Sequence, residues 1–368
     1  MEFGFTDQQQ SIADLAEGLF RDHGSDEHVR ALAQAGQTID RPLWRRLSET
    51  GLLALTLPPA DGGSGLGMLD LGLVLQQQGR FLAAAPLWTH QLAALAVATH
   101  GEPGLRHRVL AALASGERIA ALATELDDVD GLRADPGPHG WTLHGHLGAV
   151  LLDDFHSSLV LAAQTAQGRR LFFVDCESPG IGRTPGLLTD LQAISDIRFD
   201  NVQLPLDSAL APPACAWLEP RLACCIAALQ LGVLEEALRR AADYVGQRNQ
   251  FGRPLGSFQA LAVRAADAYI EVELLRSAQW QLAWLLDQGL PAAAAARVAK
   301  HQASQAGHIV GHTAQHFHGG VGADLQYPIH RFYLRSQALS LIGGGAEAQL
   351  AHIGRALASE HHEQYQHG

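Results

Sequence analysis

The sequence predicts an α+β protein in three parts: an N-terminal helical domain, a middle antiparallel β-domain and a C-terminal helical bundle. Three observations predict this order. Apolar residues recur at helical spacing up to about residue 117, short β-favouring runs broken by glycine and proline follow to about residue 210, and long helical patterns occupy the rest. With 368 residues, the chain is long enough for two or three hydrophobic cores.

The N-terminal helical domain is expected over residues 1–117. Helical periodicity first occurs over 8–20, where Thr6 or Asp7 could cap the helix. It returns over 43–50, 69–80, 88–99 and 105–115. The intervening segment 57–65 holds two prolines and three glycines, a composition typical of a loop.

The middle β-domain is expected over residues 118–210. Strands are predicted near 140–145, 158–163, 170–174 and 197–199, and turns are predicted at 135–138 and 178–180. Short strands separated by tight turns favour a small, mostly antiparallel sheet. The dipeptide Pro212-Pro213 marks the boundary with the next part.

The C-terminal helical bundle is expected over residues 211–368. Helical patterns run over 218–247, 261–288 and 292–317, and a last helix over 345–360 follows three consecutive glycines. Long helices joined by short loops are typical of an antiparallel bundle.

Composition excludes several classes of protein. The net charge of −12 argues against a nucleic-acid partner, because such proteins concentrate positive charge. No uncharged apolar run approaches the roughly 20 residues of a membrane-spanning helix, so no membrane partner is expected. The N-terminus shows no basic segment followed by an apolar one, which favours a cytoplasmic enzyme. The four cysteines show no CxxC spacing and are expected to pack as small apolar side chains.

Three motifs stand in a fixed order along the chain. They are GLLALTLP at 51–58, QRNQFGRPLGSFQ at 247–259, and QHFHGGVG at 315–322 followed by Tyr327-Pro328. Together they resemble the acyl-CoA dehydrogenase family over almost the whole length. The resemblance implies the acyl-CoA dehydrogenase fold, FAD as cofactor, an acyl-CoA substrate and electron-transfer flavoprotein as electron acceptor.

Several residues are candidates for holding FAD. Arg248 offers a planar fork of donors suited to a pyrophosphate, although a solvated charge that favours the helix dipole is the alternative. Gly319 and Gly320 lack Cβ atoms, so a dinucleotide could approach their backbone closely. The resemblance implies the other contacts. Phe251 and Gln259 help to enclose the cofactor, and Thr124 contacts the flavin. Gln315, Gly319 and Gly320 contact the FAD of a neighbouring subunit. The last assignment requires a homo- or hetero-oligomer, such as a dimer or a dimer of dimers.

Two segments of the β-domain depart from the family pattern. Residues 126–130 replace a loop containing Gly-Ser, and 149–151 stand where many members place a Trp-Ile-Thr triplet against the flavin.

The family's catalytic base is missing from both of its usual positions. The base removes the α-proton of the thioester, and by resemblance it is a glutamate at the position of Gly344 or, in a minority of members, of Leu222. Glu219 and Glu347 lie three residues from these positions. Glu219 is the candidate catalytic residue, with surface or capping use as its alternative. For Glu347 the alternative is a structural role, because an acidic side chain at a helix N-terminus interacts favourably with the helix dipole.

No metal is expected. His308, His312 and His316 recur every four residues on one helix face, but no cysteine or carboxylate clusters with them.

Two classes of function follow. The first is an FAD-dependent acyl-CoA dehydrogenase, resembling the subunit of mixed complexes that has lost the glutamate and acts on bulky, steroid-like thioesters. The second is a non-catalytic binding or scaffold subunit of the same fold. A flavin oxidase on this fold is a further alternative.

Overall fold

The structure, a computed structural model, describes residues 4–125 and 131–366, with side chains described to residue 358. The α-helices in this part of the chain are α1 Asp7–His23, α2 Asp26–Gln34, α3 Arg41–Glu49, α4 Met68–Arg80, α5 Leu87–His100, α6 Pro103–Ser115, α7 Ala214–Gln247, α8 Gln259–Asp287, α9 Ala293–His318, α10 Ile329–Leu341 and α11 Ala346–Gln366. The strands are β1 Ala120–Leu122, β2 Leu132–Gly137, β3 Gly140–Val150, β4 Ser158–Thr165, β5 Gly168–Asp175, β6 Ile181–Leu187, β7 Ala193–Pro205, β8 Asn249–Gln250 and β9 Arg253–Pro254. The predicted order of helical domain, β-domain and helical bundle is confirmed.

The chain forms two compact units. Unit 1 comprises residues 1–17, 68–82 and 223–368, and unit 2 comprises 18–67 and 83–222. Helix α4 therefore belongs to the same unit as the C-terminal helices. The predicted domain boundaries at 117/118 and 210/211 stay predictions.

Unit 2 is built on a seven-stranded sheet in the order β1-β4-β2-β3-β7-β6, with β5 paired to β4. Its pairs are antiparallel except β1 with β4 and β2 with β4. Side chains of alternating strand positions form one apolar core, with Leu143, Leu161 and Phe172 fully buried. The predicted character of the sheet, mostly antiparallel, is confirmed.

Strand β2 corrects the sequence analysis, which placed a turn at residues 135–138. The strand continues through Pro136 to Gly137, and a two-residue turn leads into β3. Proline is tolerated there because β2 meets β4 only at Arg133, so the outer side of Pro136 carries no ladder hydrogen bond. Strand β6 and helices α2 and α10 were also not predicted. The acidic segment 126–130 lies outside the described residues.

Unit 1 is a helical bundle of α4, α8, α9, α10 and α11 with the C-terminal part of α7. Glycines allow its helices to approach closely, since a Cβ atom on Gly232 would collide with the backbone oxygen of Gln76. Asp287 accepts the backbone N–H groups of Met68 and Leu69 at 2.6 and 3.0 Å and so caps the start of α4. None of the helices in the described ranges is long and apolar enough to cross a membrane.

Candidate functional site

The two segments predicted to hold FAD meet at one groove of unit 1. The groove has a volume of about 360 Å³ and is lined by Phe251, Leu255, Phe258, Ala260, Leu261, Arg264 and His316. The first three residues come from the segment between α7 and α8, whereas His316 comes from the end of α9. Motifs that are 56 residues apart in the sequence, counted from Gln259 to Gln315, are therefore neighbours in space.

The segment after α7 is a small hairpin that displays its aromatic residue. Strands β8 and β9 pair across Phe251 and Gly252, whose φ angles are +55° and +79°. Two successive positive φ angles are typical of a tight hairpin turn, and the left-handed conformation is strained for a residue as large as phenylalanine. The Phe251 side chain is 89% exposed and touches the Phe258 ring edge-on at 6.2 Å between centroids.

Arg248 is presented at the base of this hairpin. Its backbone N–H donates to Tyr244 at 2.9 Å, and its backbone oxygen accepts from Leu255 at 2.8 Å, so the main chain is held at both ends. Its guanidinium is exposed and has no hydrogen bond or ion pair with any residue that the structure describes. Gln259, the first residue of α8, is also exposed.

The glycines after α9 leave an open surface. Gly319 has a φ of +57°, and its N–H donates to the backbone oxygens of Gln315 and His316, which ends the helix. A Cβ atom built on Gly319 or Gly320 would meet no heavy atom within 4 Å. Gln315 is half-buried beside them, and its side-chain oxygen blocks a Cβ at Gly322.

Three aromatic rings join the ends of α7 and α9. Tyr244 stacks on His318 with centroids 4.5 Å apart, and Tyr327 contacts both rings at 6.3 and 5.2 Å. Burial lowers the pKa of His318, which favours the neutral ring in this stack. Tyr327, part of the third motif, thus fixes the hairpin and the glycine turn relative to each other.

These features fit an anionic dinucleotide. An exposed guanidinium without a partner in the described chain can bind phosphate oxygens, and open glycines allow close approach of a phosphate to the backbone. The exposed Phe251 ring offers an apolar face beside them. Thr124, the remaining candidate, belongs to unit 2, where it lies two residues after the end of β1 and is half-buried.

The turn that contains Gly344 has a backbone conformation that favours glycine. Gly343 and Gly344 have φ angles of +71° and +89°. The Gln349 side-chain amide donates to the oxygens of Gly343 and Gly344 at 2.9 and 3.4 Å. A Cβ atom on Gly344 would stand 3.0 Å from that amide nitrogen. Glu347 is exposed in the first turn of α11.

The second position at which the resemblance expects the base, Leu222, lies in unit 2, on the N-terminal part of α7. Leu222 is 5% exposed. The carboxylate of Glu219 lies 3.8 Å from a guanidinium nitrogen of Arg169, and its side chain is 25% exposed. Glu219 therefore lies beside a positive charge and is partly open to solvent.

Two residues near Gly344 were missed by the sequence analysis. Gln349 holds the glycine turn, and Lys300 on α9 donates to the backbone oxygen of Ser340 at 2.9 Å, four residues before Gly344. Burial lowers the pKa of Lys300 to about 7. One signal was available, since Lys300 is the only lysine in the sequence and stands in an apolar stretch.

The histidine stripe of α9 has an aromatic neighbourhood. The rings of His308 and His312 lie 4.4 Å apart, and His312 contacts Tyr333 at 5.1 Å. The absence of a metal at this stripe stays a prediction.

Comparison with known proteins identifies the family. The sequence profiles of the N-terminal and C-terminal domains of acyl-CoA dehydrogenases match residues 6–117 and 221–358. The acyl-CoA dehydrogenase FadE27 of Mycobacterium tuberculosis is 34% identical, over 97% of this chain and 99% of that protein. The chain belongs to the acyl-CoA dehydrogenase family. This confirms the predicted class, a flavoprotein oxidoreductase that acts on the CH–CH group of an acyl-CoA, with FAD as the family's cofactor.

Two solved structures are similar over nearly the whole chain. One is the ChsE4-ChsE5 complex from Mycobacterium tuberculosis, with a TM-score of 0.93 and 35% identity over 97% of this chain and 99% of the matched chain. The other is a variant of the Tcur3481-Tcur3483 steroid acyl-CoA dehydrogenase, with a TM-score of 0.91 and 36% identity over 96% and 98% of the two chains.

Proposed function

We propose that this chain is the subunit without a catalytic base in a heteromeric acyl-CoA dehydrogenase that oxidises a bulky, steroid-like acyl-CoA. The observation that carries the proposal is the turn at Gly344. The family's glutamate position is occupied there by a glycine with a φ of +89°, packed against the Gln349 amide. A glutamate would be strained in this left-handed backbone conformation. The base is therefore expected from a partner subunit.

The similar structures support the choice of partner and substrate. Both are structures of two-component proteins, and one of them is described as a steroid enzyme. The run from Gly343 to Gly345 places no side chain at the turn, which is compatible with a bulky acyl group. Electron-transfer flavoprotein as electron acceptor and a cytoplasmic location stay predictions.

The cofactor contacts are proposed from the resemblance, and of these residues Phe251 lines the groove of unit 1. Arg248 would bind the pyrophosphate, and Phe251 and Gln259 would enclose the dinucleotide. Gln315, Gly319 and Gly320 would contact the FAD of a neighbouring subunit through backbone and amide groups. FAD supplies the hydride acceptor when bound. The contribution of this chain is then to bind and orient the cofactor, including that of a neighbouring subunit, while Thr124 contacts the flavin.

Activity with and without a partner tests the missing base. The chain is co-expressed with a homologous acyl-CoA dehydrogenase subunit that carries the glutamate, and the dehydrogenation of a steroid side-chain acyl-CoA is measured for the complex and for the isolated chain. A general base typically contributes about 10²–10⁴-fold, so the isolated chain is expected to be slower by that range. Turnover of the isolated chain at the rate of the complex would contradict the proposal.

Glu219→Gln decides whether this chain supplies its own base. The complex is expected to retain its rate within about twofold, as with the matched variant Glu117→Gln, which changes an exposed carboxylate of unit 2. If Glu219→Gln abolishes turnover while FAD content is unchanged, Glu219 is the base and the proposal is wrong.

Flavin content separates the dehydrogenase from the scaffold alternative. The proposal expects FAD to be released on denaturation, and Arg248→Ala to lower its occupancy because the free guanidinium is lost. Arg198→Ala, an exposed arginine on β7 of unit 2, is the matched control. The scaffold alternative would be favoured if the complex is active and none of its FAD depends on this chain's Arg248 and glycine turn. The oxidase alternative would be favoured if oxygen rapidly reoxidises the reduced enzyme.

A further inference from the structure

Three side chains from three helices converge on one point of unit 2. His23 is the last residue of α1, His28 lies in the first turn of α2, and Asp40 precedes α3 as its N-cap. One carboxylate oxygen of Asp40 lies 2.9 Å from Nδ1 of His23 and 2.7 Å from Nε2 of His28. The three potential ligand atoms all lie within 4.8 Å of one another.

The carboxylate is fixed by its surroundings. Asp40 is 1% exposed, and its other oxygen accepts the backbone N–H of Leu43 at 3.0 Å. Burial raises the pKa of Asp40, but the hydrogen bonds from Leu43, His28 and His23 outweigh it and keep the pKa below its usual value. The group is therefore a buried anion, oriented by a backbone hydrogen bond as metal-ligating carboxylates are.

The two imidazoles are also held, but remain accessible. Ser25 accepts the backbone N–H of His28 at 3.2 Å, which fixes the start of α2. The side chains of His23 and His28 are 20% and 35% exposed, so an ion can reach the cluster from solvent. The cluster therefore combines one buried anion with two imidazoles that solvent can reach.

We propose that His23, His28 and Asp40 form a zinc site that ties together the adjoining ends of α1, α2 and α3. Two imidazole nitrogens and one carboxylate oxygen are a ligand set that zinc accepts, with water in the fourth position. Zinc–ligand bonds of about 2.0–2.1 Å place tetrahedral ligand atoms roughly 3.3 Å apart. The carboxylate oxygen must therefore move away from each ring nitrogen by about 0.4–0.6 Å to reach this separation. Each ring must present its lone pair to the ion, so the proton moves to Nε2 of His23 and to Nδ1 of His28.

The role of the zinc is structural and independent of the proposed dehydrogenase activity. The three ligands come from helix ends within 18 residues of sequence, counted inclusively from His23 to Asp40. An ion that bridges them stabilises the folded state because the unfolded chain presents no such site. Without the ion, the same atoms form two hydrogen bonds, so the corner does not depend on metal to fold.

Zinc titration of the untagged, chelator-treated protein tests the site. Calorimetry is expected to show one tight equivalent of Zn²⁺, Co²⁺ is expected to give a tetrahedral absorption spectrum, and Zn²⁺ is expected to raise Tm. His28→Gln is the informative variant, because its side chain is partly exposed and the fold tolerates it better than a change at Asp40. It should weaken the tight site by about 100-fold, a loss that even outer-shell changes reach at metal sites.

Two matched histidine variants exclude adventitious binding. His107→Gln removes an exposed histidine of unit 2 and should leave the tight equivalent unchanged. His312→Gln interrupts the stripe on α9 and should also leave it unchanged. The proposal is overturned if no tight equivalent is found, if His28→Gln binds zinc as the wild type does, or if the tight equivalent is lost in His312→Gln.

Discussion

The buried lysine of unit 1 and the buried histidine of unit 2 are held in different ways. Lys300, 1% exposed, donates to the Ser304 hydroxyl at 2.7 Å and to the Ser340 backbone oxygen at 2.9 Å. His90, fully buried, accepts the Ala120 N–H at Nδ1 and donates from Nε2 to the Leu113 oxygen, at 3.2 and 3.0 Å. The backbone therefore fixes one ring nitrogen of His90 as an acceptor and the other as a donor. Lys300, in contrast, donates to an oxygen atom at both of its contacts.

Burial lowers both pKa values, but the two groups start from different ordinary values, 6.5 for histidine and 10.5 for lysine. Burial lowers the pKa of His90 to about 4 and that of Lys300 to about 7. His90 is thus neutral throughout the physiological range, and two oxygen acceptors satisfy the two N–H groups of a neutral Lys300 amine. Lys300 changes charge near pH 7, and its partner Ser340 leads into the glycine turn at Gly344. Lys300 therefore contacts the end of α10 that leads into the glycine turn.

The largest expected effect is the pH dependence that Lys300 imposes. Its pKa is 10.5 in the unfolded chain and about 7 in the folded one. Between these values only the unfolded chain binds the proton, so the free energy of unfolding falls as pH falls from 10.5 to 7. The total is about 5 kcal/mol, since one pKa unit corresponds to about 1.4 kcal/mol. Urea unfolding at several pH values measures this slope.

Lys300→Met is expected to remove that slope and to be more stable than the wild type at pH 7.5. Because Lys300 is the only lysine, ¹³Cε-lysine labelling gives one NMR signal, whose midpoint should lie near pH 7. A midpoint near 10.5 would contradict the lowered pKa of Lys300. The same would follow if the free energy of unfolding depended on pH equally in the variant and the wild type.

A smaller effect is expected from His90 in the acid range. The unfolded histidine binds a proton below its pKa of 6.5, whereas the folded one does so only below about 4. The free energy of unfolding should therefore decline by about 3 kcal/mol as pH falls from 6.5 to 4. His90→Gln keeps a donor and an acceptor but cannot titrate, so its profile should be flatter in this window. His107→Gln, at an exposed position, should keep the wild-type profile.

Sequence periodicity was sufficient for the order of the parts but not for every element. Long helices such as α8 and α9 carry enough apolar repeats to be recognised within two residues at each end. Strand β2 was missed because Pro136 and Gly137 are typical turn residues, and only the neighbouring strands make them part of a sheet. The short helix α2 spans only nine residues and starts at its Ser25 cap, so it offers few apolar repeats to recognise.

The candidate site shows the same limit. The motifs predicted which segments hold a dinucleotide, and the structure brings the hairpin and the glycine turn together. The sequence could not indicate the stacking of Tyr244 on His318, because the contact joins residues 74 positions apart. Nor could it indicate the meeting of His23, His28 and Asp40, since their spacing matches no familiar metal motif.

The smallest expected effect concerns the reason for glycine at position 344. Gly344→Ala places a Cβ atom at a φ of +89° and 3.0 Å from the Gln349 amide, so we expect a loss of about 1–2 kcal/mol in the free energy of unfolding. Gly345→Ala is the matched control, because its Cβ would meet only the Ser340 oxygen at 4.0 Å and its backbone is not in the left-handed region. That variant should stay within about 0.5 kcal/mol of the wild type.

Equal stability of the two variants, measured by urea unfolding, would mean that the backbone of unit 1 tolerates a side chain at position 344. A glutamate could then be installed there, and Gly344→Glu would be expected to give the isolated chain activity. A selective loss in Gly344→Ala would instead mean that the base is excluded by the shape of the turn, so that a single substitution cannot restore it.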